Sequence, residues 1–425
     1  VASAALHALA SQRMPGGVSS PVRAFRHVGG TPVFFREASG ASIVDEDGQS
    51  YLDFCMAFGP LILGHAHPSV VEAVQRAASR GLVYGACHRY EGALAERVLA
   101  AFPYADLVRF VVSGTEAVAT AIRLARAATR RRYILRFTGC YHGHVDALMV
   151  KAAATDGDPA PAVADSDGVL AHTAADTLVV PLANLAALEA VFARFGHEIA
   201  GAIVEPLPAN TGLLAQHRSW LQRLRALTGE RGALLIFDEV ISGFRFGFGG
   251  YAQQVGVEPD LTTLGKIIGG GLPVGAVAGR AAVMRMLAPL GGVYQAGTMA
   301  GNPVALAAGL ATLDELSRGD AYAYLQDLGA LLDRKLAAHP LRRQAQLIRV
   351  GSIVWPYFAP TGVPPTESAA IEPPAIAAYN RGYHRWLARG VYLPPAALEV
   401  CFLSTAHKPA HLDTLLDALA ETEAA

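Results

Sequence analysis

A chain of 425 residues, 52% hydrophobic and 17% charged, has apolar side chain enough for more than one ordinary core, so two domains are expected. A formal charge of −1, with no basic tract interleaved with aromatics, argues against nucleic acid or an anionic membrane as partner and for a small-molecule substrate. The four cysteines, Cys55, Cys87, Cys140 and Cys401, are far apart with no CxxC or zinc-ligand spacing, which fits a reducing, cytoplasmic compartment and no metal site.

In chain order, a helix-like start leads through the turn Pro15-Gly16-Gly17 to two strand-like pieces, Val33 to Phe35 and Ala41 to Val44, with Asp45-Glu46-Asp47-Gly48 marking a hairpin. From about 66 to 310, apolar runs (Arg109 to Val112, Tyr133 to Phe137, Gly201 to Val204, Ala233 to Phe237) alternate with helix-length segments. That alternation predicts an α/β fold with a mostly parallel sheet covered by helices. Ala152 to Ala174, rich in Ala, Asp and Pro, reads as a mobile loop. Ala288 to Leu313 contains no Asp, Glu, Lys or Arg, yet Gln295, Thr298, Asn302, Pro303 and several glycines divide it into a loop and a buried helix from Pro303 rather than a membrane span. From about 311 a long helix introduces a smaller C-terminal unit.

The motif that carries most chemistry is Thr263-Leu264-Gly265-Lys266-Ile267-Ile268-Gly269-Gly270-Gly271, a lysine among glycines after a strand-like run. A lysine condenses with an aldehyde when its amine is neutral and held at the carbonyl, and glycines admit a flat ring close to the backbone. Upstream, Ile236-Phe237-Asp238-Glu239-Val240 puts an aspartate at the end of a buried strand, where it can keep a pyridinium nitrogen protonated. The two together are the minimum protein equipment for pyridoxal phosphate chemistry.

Ser113-Gly114-Thr115-Glu116-Ala117 follows a strand and opens a helix from Val118 to Ala128. Its S-x-x-E spacing is a helix-capping pattern, and its amides at the positive end of a helix dipole also suit a phosphate; both readings can hold at once. Gly139-Cys140-Tyr141-His142-Gly143-His144 offers an aromatic for ring stacking, and its histidines read better as satisfied structural residues than as metal ligands. Glu205-Pro206 and Asn210, beyond another strand, can reach the ring hydroxyl or the substrate. Gly297-Thr298-Met299-Ala300-Gly301-Asn302-Pro303 offers either a second phosphate contact or a helix cap, and Arg23 a fork for a substrate carboxylate.

The whole pattern resembles the class III, fold type I pyridoxal phosphate enzymes, and among them the glutamate-1-semialdehyde 2,1-aminomutase group. The resemblance runs through Met14-Pro15-Gly16-Gly17-Val18-Ser19-Ser20-Pro21-Val22-Arg23, Leu63-Gly64-His65-Ala66-His67-Pro68, the serine, tyrosine and lysine motifs above, Tyr294-Gln295-Ala296-Gly297-Thr298 and Tyr392-Leu393-Pro394-Pro395-Ala396-Ala397-Leu398-Glu399. It implies a large domain at 61–310 and a smaller α+β domain built from both chain ends, 1–60 and 311–425. It implies that Lys266 is catalytic and holds the cofactor, pyridoxal or pyridoxamine 5'-phosphate, and that Asp238 pairs with the ring nitrogen. Tyr141 would pack on the ring, Asn210 would bond its hydroxyl, and Ser113, Gly114 and Thr115 would hold the phosphate, with Val240 also in the cofactor site. Thr298 would reach the phosphate of a neighbouring subunit in a homodimer. Ser20, Arg23, Phe58, Glu205 and Glu399 would form the substrate set.

The departures from that group cluster away from the cofactor residues. Phe58 stands where the group has tryptophan, Gly85-Ala86-Cys87-His88 where it has Gly-Ala-Pro-Thr, and Ala152-Ala153-Ala154-Thr155 at the start of its gating loop; Trp355 to Pro374 is unlike it. An aminomutase must retain its diamino intermediate behind a closing loop, whereas a transaminase releases a keto product. Those positions keep a transaminase acting on another amino acid or amine open beside the aminomutase; a non-catalytic cofactor-binding protein fits worst, since lysine and aspartate are both present.

Overall fold

The computed structural model describes residues 2–153 and 159–421. The chain divides into a larger unit, 69–319 with 366–369, and a smaller one, 1–68, 320–365 and 370–425. The divisions expected at 60 and 310 thus fall at 68 and 319, which leaves helix Pro303–Ser317 wholly in the larger unit.

The larger unit is organised on a seven-stranded sheet. Its strands in chain order are β1 (Leu107–Val111), β2 (Tyr133–Thr138), β3 (Thr177–Pro181), β4 (Ile199–Val204), β5 (Leu234–Asp238), β6 (Leu261–Leu264) and β7 (Gly275–Gly279), in the spatial order β1-β7-β6-β5-β4-β2-β3. β2, β3, β4, β5 and β6 pair in parallel, and β7 runs antiparallel between β6 and β1, so β1 points the same way as the rest. Every residue of β4 and β6 is buried, as expected for a sheet covered on both faces.

Helix α1 (Gly114–Thr129) covers one face. Its Ala117, Val118, Ala121, Ile122, Leu124 and Ala125 recur at helical spacing and join Ile134, Ile203, Ile236, Leu261 and Val277 in one core cluster. Each buried branched side chain there contributes roughly 1.5–3 kcal/mol. α1 ends at Arg130, which turns left-handed with φ 56°. On the other side, Trp220 of helix α2 (Arg218–Arg231) meets Phe137 of β2 edge to face at 4.9 Å.

β7 was not foreseen, because Gly275-Ala276-Val277-Ala278-Gly279 has low strand propensity. Packing decides it: a Cβ on Gly275 would lie 2.3 Å from the Ser113 carbonyl oxygen, so glycine lets this strand pass beside the start of α1. The long helix expected from about 311 is two helices, Pro303–Ser317 and Asp320–Ala338, separated at Gly319, whose φ of 87° no helix accommodates. The expected loop from 152 is partly regular: Val150–Lys151 pairs with Val163–Ala164, and Ala171–Ala174 is helical, while 154–158 lie outside the described residues.

The smaller unit joins the two ends of the chain through β-pairing. Phe35–Ser39, Ser42–Asp45 and Ser50–Asp53 form an antiparallel meander, and Val391–Tyr392 adds in parallel beside Ser50–Asp53. The first strand begins at Phe35, two residues later than Val33. Asp45 Oδ1 accepts the Asp47 and Gln49 N–H groups at 3.0 and 2.8 Å, fixing the expected hairpin turn. A second sheet of Gln346–Val350, Ile353–Tyr357 and Cys401–Phe402 and three long helices complete this unit. Among the described residues no helix is long and apolar enough to cross a membrane.

Candidate active site

Five strands of common direction, β1, β2, β4, β5 and β6, bring Ser113, Tyr141, Glu205, Asp238 and Lys266 to their carboxyl ends. Asp238 is in register with Thr263, three residues before Lys266, and Phe237 with Val204, immediately before Glu205. Open parallel sheets bind ligands at this edge because each strand end releases a loop there and helices begin there.

The start of α1 is built as an anion cradle. Ser113 Oγ accepts the Glu116 N–H at 3.2 Å, and Glu116 Oε2 accepts the Val112 N–H at 2.9 Å. The S-x-x-E pair therefore braces the turn, with glutamate reaching one residue further back than in a reciprocal box. The leading amides of Gly114 and Thr115 have no acceptor within the helix and suit a phosphate. The space around them is tight: a Cβ on Gly114 would meet the Val240 methyls at 3.0–3.1 Å, and one on Gly143 would lie 2.3 Å from Thr115 Oγ1. Val240 also faces Gly265, where a Cβ would be 3.1 Å away. Val240 thus spaces the cradle from the lysine loop.

Asp238 is 5% exposed. Its Oδ2 lies 2.8 Å from His142 Nδ1, and its Oδ1 accepts the Val240 N–H at 3.2 Å. Burial lowers the pKa of His142, so the imidazole is neutral, donates from Nδ1 to the aspartate and carries its lone pair on Nε2, which has no partner among the described residues. Glu205, 3% exposed, is pushed up to about 8 by burial and by the charge of Asp238. Its Oε2 accepts the Tyr141 N–H at 2.7 Å, and its Oε1 is 2.8 Å from Asn210 Nδ2. Glu205, expected at the substrate, thus spends both oxygens on protein groups. Glu239 is raised by burial and holds Ser242 Oγ and the N–H groups of Tyr251 and Ala252. Lys266, half-buried, adopts a left-handed φ of 47° just after an extended Gly265.

These donors fit pyridoxal phosphate. A buried carboxylate braced by a neutral imidazole suits a protonated ring nitrogen; Tyr141, a residue 54% exposed, suits stacking; the amides of α1 suit the phosphate, and the Lys266 amine an aldehyde.

The remaining expected residues are divided between the two units. Thr298 is exposed and lines a separate cleft of about 440 Å³ with Tyr84, Cys87 and His88. His88 itself begins helix Arg89–Ala101, giving its N–H to Glu91 Oε1 at 3.2 Å while its Nε2 sits 2.6 Å from the Gly301 carbonyl. In the smaller unit, Ser20 precedes the short turn Pro21–Ala24 that carries exposed Arg23, Glu399 is half-buried, and Phe58 closes a turn in which Met56, Ala57 and Phe58 have φ of 46°, 54° and 64°. Residues 366–369 of the segment unlike the aminomutase group pack in the larger unit, where the Thr366 carbonyl accepts from Gln216 Nε2 at 2.7 Å and Ser368 faces Gly139.

Sequence reasoning missed two supports. His142 reads from the sequence as a structural histidine, and its place beside Tyr141 after β2 is the signal for a partner to Asp238. Arg136 was not singled out; it donates to the carbonyls of Leu148, Val150 and Cys140 at 2.6, 2.9 and 2.6 Å and so shapes the loop that presents Tyr141.

A parallel-sheet edge carrying a strand-end aspartate, a lysine loop and the leading amides of a helix has the donors that a pyridoxal phosphate-dependent enzyme needs. The chain belongs to the class III aminotransferases, whose family profile matches residues 25–353. It is 48% identical over 421 residues to a glutamate-1-semialdehyde 2,1-aminomutase of Desulforudis audaxviator, covering 99% of this chain and 96% of that one. The corresponding enzyme of Thermus thermophilus is 47% identical over 415 residues, 97% and 96% of the two chains. Among solved structures, an omega-transaminase from Sphaerobacter thermophilus superposes with a TM-score of 0.90 at 34% identity, covering 99% and 97%. A glutamate-1-semialdehyde aminomutase from Pseudomonas aeruginosa gives 0.85 at 27%, covering 99% and 94%.

Proposed function

We propose that this enzyme converts glutamate 1-semialdehyde to 5-aminolevulinate, moving the amino group within one molecule. The observation that carries the reading is identity of 48% along almost the whole chain to a relative of that name. When bound, the cofactor supplies an electron sink and an amine carrier. The protein supplies the rest. Lys266 Nζ takes a proton from one substrate carbon and returns it to the other. Asp238 holds the proton at the ring nitrogen and is itself kept in place by the His142 Nδ1–H. The first-turn amides of α1 with Ser113 and Thr115 anchor the phosphate, and Asn210 contacts the ring oxygen. Ser20, Arg23, Phe58 and Glu399 are our candidates for substrate recognition.

The active form in this reading is a cytoplasmic homodimer in which Thr298 meets the phosphate bound by a second copy. Large apolar side chains support it: Leu82, Leu290, Tyr294 and Met299 are 67, 75, 72 and 48% exposed, and the last three flank Thr298 in sequence. A second reading, a transaminase releasing a keto product, draws support from Phe58, from Ala152-Ala153 at the loop start and from the 0.90 superposition on an omega-transaminase.

The test is turnover of glutamate 1-semialdehyde alone by the pyridoxamine-loaded enzyme, with 5-aminolevulinate measured. Sustained turnover without a keto acid is expected; product that stops at one equivalent or less would overturn the aminomutase in favour of the transaminase.

A further inference from the structure

Tyr141, the residue read as packing on the cofactor ring, stands in a short loop bounded by two glycines of left-handed φ, Gly139 at 91° and Gly143 at 73°. Glycine flanks leave the peptide planes between them easy to turn, and the tyrosine is itself 54% exposed. Local backbone preference therefore does little to fix the direction in which the ring leaves the chain.

One peptide between those glycines is held from both sides. The Cys140 carbonyl accepts from Arg136 Nη2 at 2.6 Å, and the N–H of the same peptide, that of Tyr141, donates to Glu205 Oε2 at 2.7 Å. A trans peptide is planar, with its C=O and N–H pointing to opposite sides. Two partners gripping these groups set the rotation of the plane, and with it φ of Tyr141 and the direction of its Cβ.

We propose that Arg136 is a positioning residue that, together with Glu205, clamps the Cys140–Tyr141 peptide and so aims the Tyr141 ring at the face of the bound cofactor. The inference rests on the reading of Tyr141 as the stacking residue and adds what orients it.

Both jaws of the clamp are themselves fixed. Arg136 lies on β2, and its Nη1 donates to the carbonyls of Leu148 and Val150 at 2.6 and 2.9 Å, so two stretches of chain hold the guanidinium from separate nitrogens. All of these acceptors are carbonyls, and among the described residues none of its partners is a carboxylate; the cation is committed to placing backbone rather than to balancing a charge. Glu205, 3% exposed at the end of β4, has its second oxygen occupied by Asn210 Nδ2 at 2.8 Å. Its Oε2 accepts an amide N–H whether the carboxyl is ionised or neutral, so the grip on Tyr141 is independent of charge state. A lysine at 136 would keep the positive charge but offer one nitrogen in place of a planar fork, and could not serve Cys140 and the Leu148–Val150 pair from two directions.

The experiment is a double-mutant cycle on the dissociation constant of pyridoxamine 5'-phosphate, which has no aldehyde and binds independently of condensation with Lys266, measured from its fluorescence on dilution of the loaded enzyme. Arg136→Lys in the otherwise unchanged chain should weaken binding about three- to tenfold, the worth of an aromatic stacking contact. In a Tyr141→Ala chain, which has no ring to aim, the same substitution should change the constant by less than about twofold, whereas a general loosening of the fold would act equally in both chains. Arg136→Met, which removes fork and charge together and carries no cation into the sheet, is the second variant and should give the same pattern. Equal weakening in both backgrounds, or none in the otherwise unchanged chain, overturns the clamp and leaves the reading of Tyr141 intact. Binding by Tyr141→Ala as tight as by the unchanged chain overturns the stacking reading itself.

Discussion

Each unit holds a buried polar cluster, and the two are assembled by opposite rules. In the larger unit Glu205, Asp238 and Glu239 place three carboxyls at neighbouring strand ends, and burial with the charge of Asp238 raises both glutamates. In the smaller unit the groups around Asp53 pair acceptor with donor rather than carboxyl with carboxyl. The Asp53 carboxylate accepts the Cys55 and Met56 N–H groups at 2.7 and 3.0 Å and faces His65 Nε2 at 2.7 Å. His407, which burial pushes down to about 3, donates from Nε2 to the Asp53 carbonyl at 3.0 Å, accepts the Ser404 N–H at Nδ1 and stacks on Phe54 at 4.5 Å. A complementary cluster stabilises the fold unaided; a like-charged one is costly alone and is relieved by a cation. The larger unit's cluster is thus the one a bound cation would relieve, while the smaller unit's needs none.

Four substitutions test that contrast, beginning with the largest effect. Asp238→Asn should slow proton abstraction in single-turnover stopped flow by roughly a hundredfold or more, about 2.7 kcal/mol of barrier, while the apoprotein stays at least as stable. Near-normal rates would remove Asp238 from the chemistry. His407→Ala should do the reverse, costing about 3 kcal/mol in denaturant unfolding with little change in cofactor affinity. A loss well under 1 kcal/mol would mean that the smaller cluster is no scaffold.

The clusters should also fail at opposite ends of the pH scale. Glu205 has its folded pKa raised, from 4.5 to about 8, so the folded apoprotein retains a proton that the unfolded chain has lost, and stability falls as pH rises through that window. Relative to Glu205→Gln, the wild-type apoprotein should lose roughly 1 kcal/mol per pH unit there. His407 has its folded pKa lowered, from 6.5 to about 3, so its contribution is present above 6.5 and disappears as pH falls toward 3. Urea unfolding of both proteins across pH measures both slopes, and a stability curve identical in wild type and Glu205→Gln would remove the alkaline one. The smallest effect is at Ala57, whose left-handed φ of 54° glycine adopts without strain; Ala57→Gly should raise the melting temperature, by about 1 kcal/mol in stability at most.

Local signals in the sequence were enough to put Lys266, Asp238 and Ser113 beyond strand ends, because a parallel sheet sends each strand's carboxyl end to one edge and all three residues lie within two positions of a strand end. Strands β2, β4 and β5 were legible from their apolar runs for the same reason, burial on both faces. What could not be read was pairing at a distance. His142 and Asp238 are 96 residues apart, and nothing in either neighbourhood names the other. Glu205 was legible as a carboxyl beyond a strand, within reach of the ring or the substrate, but its bonds to the Tyr141 amide and Asn210 were not. β7 escaped because close passage beside Ser113 selects glycine there, against strand propensity.

Lys266 turns left-handed at φ 47°, a conformation in which glycine is the locally preferred residue, and glycines already stand on either side of its motif. Its local backbone preference and its chemistry therefore disagree, which makes the position frustrated in the energy-landscape sense. Backbone stability alone favours glycine here, so lysine sits in this backbone at a conformational cost. Lys266→Gly should for that reason leave a sturdier apoprotein than Lys266→Ala, although both discard the same nitrogen.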